Sequence, residues 1–149
     1  MAKVAAVTVH GLLHPGFGPL VRVEVSGERH TTRGVAILDT GASCSAIDRD
    51  VAAQLQLPSP GAATWLSVSP LEQRPMSPLR RGTVGLMGTS HTRQLDFIEA
   101  AGVRDKVRGF AVLVLLGWDF LEKCRLTCDG PAGTFKLEVP RVRRRRRTR

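Results

Sequence analysis

The sequence predicts a mostly β chain with one or two short helices, and three observations carry that expectation. Apolar residues recur with the two-residue period of strands, Gly- and Asp-containing turns separate those stretches, and the helical patterns are short. The 149 residues, 42% of them hydrophobic, suffice for one core of ordinary size. A single domain over residues 1–140 is therefore expected, followed by a disordered arginine-rich tail over 141–149.

The elements follow in chain order. Val4 to Val9 and Leu20 to Val25 read as strands, and the turn Ser26-Gly27-Glu28-Arg29 folds the second of them back on Thr32–Leu38. The run Val35-Ala36-Ile37-Leu38 has no polar member, so its strand is expected to be buried on both faces, yet Asp39 follows it directly. Placing an ion beside such a strand costs several kcal/mol unless the site compensates it, so the carboxylate calls for a functional reason. After the tight Thr40-Gly41 loop, Asp48 to Leu57 reads as an amphipathic helix with acids in its first turn, stopped before Pro58. Residues 58–81 are rich in Pro and Ser and show no clear period. Further strands are expected at Gly82–Met87, Arg93–Glu99 and Phe110–Leu116. A last hairpin is expected from Arg125–Cys128 and Thr134–Val139 around Asp129-Gly130-Pro131-Ala132-Gly133.

Charge and cysteines narrow the function classes. The formal net charge is +9, but residues 141–149 hold seven of the 22 basic residues, which leaves the rest of the chain at only +2. The arginine tail, Arg143-Arg149 above all, suits non-specific contact with polyanions, and no aromatic residues are interleaved with it to stack bases. Cys44, Cys124 and Cys128 are too few and too scattered for a disulfide framework, so reduced thiols and a cytoplasmic location are expected. The four histidines lie at no recognisable metal-ligand spacing, and no metal or cofactor is expected. Cys44 is read as a small buried side chain, since no histidine base is indicated for it. No export signal is visible, and the longest apolar segment, Phe110 to Leu116, is far short of the ~20 residues that span a bilayer, so a soluble protein without membrane contact is expected.

Asp39-Thr40-Gly41 at the end of an apolar strand is followed much later by Leu115-Leu116-Gly117 and a short helix over Trp118 to Cys124. In this order and separation the chain resembles the retropepsin-like aspartic proteases over residues 4–139. The segment Phe110 to Leu121, with the hairpin trailing from Cys124 to Gly130, looks especially like the bacterial single-lobe members. The resemblance implies a closed, barrel-like single lobe that functions as a two-fold homodimer. It implies Asp39 as the catalytic carboxylate, paired with Asp39 of a second copy, because the chain has one Asp-Thr-Gly. Gly41 would aim its N–H at the carboxylate, Thr40 would brace the partner's loop, and Ala42 would floor the substrate site. Leu115, Leu116 and Gly117 would pack behind the loop.

The resemblance also shows departures. Retroviral members commonly carry an acid and an arginine that pair near the interface, where this chain has Ser43 and Trp118. The candidate flap, Trp65 to Pro78, has three prolines and no glycine. Ala42 stands where pepsin-like relatives have a serine that donates to the catalytic pair, so the optimum is expected to be weakly acidic instead of strongly acidic. The expected activity is that of an aspartic endopeptidase on peptide or protein substrates. The alternative is a retropepsin-like module that binds peptide or dimerises without turnover.

Overall fold

The computed structural model describes residues 6–63 and 76–140. The strands run β1 (Ala6–His14), β2 (Gly18–Ser26), β3 (Thr31–Leu38), β4 (Ala46–Asp48), β5 (Ala62–Ala63), β6 (Ser77–Leu86), β7 (Thr92–Ala100), β8 (Val112–Leu116), β9 (Arg125–Asp129) and β10 (Thr134–Pro140). Two short helices, α1 (Arg49–Gln54) and α2 (Trp118–Leu121), complete the described elements. The mostly β expectation holds.

One ten-stranded sheet runs in the order β5-β6-β7-β4-β8-β3-β2-β1-β10-β9, and an added β6–β2 pairing closes six of its strands into a barrel. Closure removes the open edges that the long β6 and β2 strands would otherwise present. β2 and β3 form the expected hairpin, Leu20 opposite Ile37. β8 lies parallel to β3 on its other side, pairing Ile37 with Leu115 and Leu38 with Leu116. The two strands therefore end side by side, and the segments that leave them start at neighbouring points.

The apolar run in β3 is buried on both faces for a visible reason. Ala36 and Leu38 point into the barrel with Val21, Val23, Val114, Leu116, Phe97 and Phe120. Val35 and Ile37 point outward and are covered by Val103 and Val107 from the loop between β7 and β8, together with Val112. A strand sandwiched in this way has no polar face, which is what the unbroken run recorded.

Several boundaries differ from the sequence expectation. α1 begins at Arg49, not Asp48. Asp48 closes β4 and caps the helix, its Oδ1 accepting the Asp50 and Val51 N–H groups. β1 continues through Gly11 to His14, pairing first with β10 and then with β2. β6 starts at Ser77 instead of Gly82, because its first residues pair with β5 and Leu79 and Arg81 donate to the Gly61 and Pro58 carbonyls. β4 and β5 were not expected. Most of the candidate flap, residues 65–75, and the whole 141–149 tail lie outside the described residues.

Candidate active site

Asp39 follows the last residue of β3, and its backbone N–H donates to the Leu116 carbonyl at 2.9 Å. The carboxylate itself is only partly buried. The ion therefore stands at the rim of the apolar strand instead of within it, which relieves most of the burial cost that its sequence position suggests. Gly41 N–H donates to Oδ1 at 3.0 Å, and Ala42 N–H donates to the Asp39 carbonyl at 3.3 Å. A Cβ on Gly41 would lie 3.3 Å from Oδ1, crowding the atom that the amide holds. Thr40 is exposed at the tip of the turn, and Ala42 is half-buried.

Leu116 is fully buried in the barrel, and Leu115 is partly buried against the outer cluster of Val35, Ile37 and Val112. Gly117 lies where the two loops touch. A Cβ there would sit 2.7 Å from the Ala42 carbonyl oxygen and 2.8 Å from that of Cys44, and both are backbone atoms that no side-chain rotation can move. Trp118 N–H donates to the Ala42 carbonyl at 2.8 Å and Asp119 N–H to the Ser43 carbonyl at 3.2 Å. The structure thus brings Asp39 to Ala42 and Leu115 to Gly117 together across the β3–β8 pairing.

Cys44 is exposed, correcting the expectation of a buried thiol: Ser43 and Cys44 both lie open to solvent, and the loop turns inward only at Ser45. Cys124 and Cys128 are also free, and burial pushes the Cys124 thiol up. Among the described residues no three His, Cys, Asp or Glu side chains group as a metal site, and no helix is long and apolar enough to cross a membrane.

Sequence reasoning missed Ser45, Asp119 and Arg93. Asp119 is no part of an Asp-Thr-Gly, yet its carboxylate accepts both the N–H and the hydroxyl of Ser45, at 3.0 and 2.6 Å. Arg93 donates to the carbonyls of Phe120 and Asp119 at 3.0 and 2.6 Å, with its guanidinium 5.7 Å from the centre of the Phe120 ring. The one local signal was an acid in the first turn of a helix, which ordinarily reads as a dipole effect.

The site is thus an Asp-Thr-Gly turn at the end of a barrel strand, backed by a close-packed glycine that follows the adjacent parallel strand. Residues 21–120 match the aspartyl protease family, and the chain belongs to it. In overall structure it is similar to a retropepsin-like aspartic protease from Rickettsia conorii, with a TM-score of 0.52 at 16% identity over 93% of this chain and 97% of that one. No curated protein matches it in sequence. The retropepsin-like fold expected from the sequence is present.

Proposed function

We propose that the chain is an aspartic endopeptidase whose working form is a homodimer, with Asp39 of each copy supplying one of two facing carboxylates. The observation that supports this is that three other aspartates on the strands and helices around the barrel are engaged structurally. Asp48 caps α1, Asp96 is paired with Arg81, and Asp119 is held by Ser45, whereas the Asp39 carboxylate is held by the Gly41 amide at a partly open loop. The second carboxylate that the chemistry needs would then come from a second Asp39.

Two carboxylates about 3 Å apart cannot both ionise easily, so they share one proton. One acts as the base on a water molecule, and the other donates its proton to the scissile carbonyl as the tetrahedral intermediate forms. The Gly41 N–H keeps Oδ1 in place, leaving Oδ2 of each Asp39 for water or substrate. Thr40 at the exposed tip would brace the partner's turn, and Ala42 would floor the substrate.

The test uses purified protein and its Asp39→Asn variant on a mixed peptide library. Cleavage by the parent and none by the variant is expected. Cleavage by both would rule out Asp39 as the acid, and cleavage by neither would favour a peptide-binding or dimerising module.

A further inference from the structure

We propose that Asp119 and Ser45 form a positioning clamp that fixes the Asp39 loop for catalysis, an inference that rests on the peptidase reading above. Ser45 is fully buried, and its hydroxyl is used in both directions: it donates to Asp119 Oδ1 at 2.6 Å and accepts the Gly117 N–H at 3.0 Å. The other carboxylate oxygen, Oδ2, accepts the Ser45 N–H at 3.0 Å. Residues 74 apart in sequence are thereby joined by a two-point, charge-assisted contact.

The clamp acts on the loop that carries Asp39. The N–H groups of Asp39, Trp118 and Asp119 already donate to the carbonyls of Leu116, Ala42 and Ser43 respectively. Those bonds tie the two loops along one line, whereas the Ser45 contacts close the far end of the loop, six residues beyond Asp39. With both ends held, the turn between them has one register. Without the Asp119 carboxylate the Ser45 hydroxyl and N–H would lose their acceptor, and without the Ser45 hydroxyl the Gly117 N–H would lose its own, and the loop could relieve either loss only by shifting.

Asp119 is itself held in place. It lies in the first turn of α2, whose N-cap Gly117 supplies no side-chain cap, so its carboxylate could have turned back to the helix amides. Arg93 fastens the helix from the other side through the Asp119 and Phe120 carbonyls and stacks over the Phe120 ring. Helix and carboxylate are therefore presented to Ser45 as a rigid unit. Nothing places Asp119 at the substrate, so its effect is exerted through the loop.

Asp119→Asn keeps the shape while putting an amide donor against a Ser45 donor, and Ser45→Ala removes the hydroxyl. In the full-length protein, amide hydrogen exchange at Ser45 and Gly117 is expected to speed by about tenfold or more in either variant, with β2 and β3 amides unchanged. On a peptide cleaved by the parent, kcat is expected to fall by about ten- to a hundredfold with KM within about twofold, since displaced reacting groups lose rate without losing binding. The double variant is expected to be no worse than the poorer single one. Should Ser45→Ala not fold, the isosteric Asp119→Asn decides. Unchanged exchange, unchanged kcat in a folded variant, or fully additive losses would overturn the clamp. A parent that cleaves nothing would overturn the peptidase reading instead, and the exchange measurement would still decide whether the clamp holds the loop.

Discussion

The imidazole of His91 sits edge-on to the Phe120 ring, their centres 6.1 Å apart, and its Nε2 is buried without a hydrogen-bond partner among the described residues. Burial, and then the neighbouring Arg93 guanidinium, lower its proton affinity below the ordinary 6.5. Protonation is thus easier in the unfolded chain than in the folded one. The contribution to stability is intact above pH 6.5 and is lost as pH falls from there through the lower folded value. His91→Leu should flatten this part of the stability profile, measured by denaturant unfolding at stepped pH. An undiminished slope in the variant would assign the acid sensitivity to other groups. Asp39 shows the same balance between site and sequence at closer range: the apolar run before it announced a buried strand, but the carboxylate stands at the strand's open end, where water and the Gly41 amide both reach it.

At the scale of elements, α1 depends on Asp48. Its side chain is nearly fully buried, and while Oδ1 caps the helix, Oδ2 accepts the Arg104 N–H at 2.8 Å from the loop that covers the outer face of β3. Loss of a cap costs about 1 kcal/mol, and a buried orphaned amide costs about 1–3 kcal/mol more. Asp48→Ala should therefore lower the unfolding free energy by about 2–4 kcal/mol, read from denaturant midpoints, and a loss below about 1 kcal/mol would show that the Arg104 amide finds another partner. Which elements were legible follows from their length. β2, β3, β7, β8 and the final hairpin are long enough to show a period or an apolar run, and their boundaries came within a few residues. β4 has three residues and β5 two, too few for any period, although β4 is the strand that joins β7 to β8. The Asp-Thr-Gly turn and Gly117 were legible because their roles require those residue types. Ser45 and Asp119 were not, because a serine and an acid far apart in sequence announce nothing until the fold joins them.

At the scale of the molecule, the chain presents one Asp-Thr-Gly and leaves apolar side chains exposed, Trp118 at 54% among them. Trp118 is bonded to Ala42, three residues from Asp39, so a second copy meeting the first at Asp39 would cover surface close to it. In such a dimer neither copy is complete alone. The most direct measurement mixes the parent chain, at a fixed concentration where chains are paired, with increasing Asp39→Asn chain and allows the subunits to exchange. If each site needs two Asp39 carboxylates, peptide cleavage falls to about half at equal amounts and to about a quarter at threefold excess, as parent chains are drawn into mixed pairs. Cleavage that stays constant across the titration while mixed pairs demonstrably form would contradict the shared site.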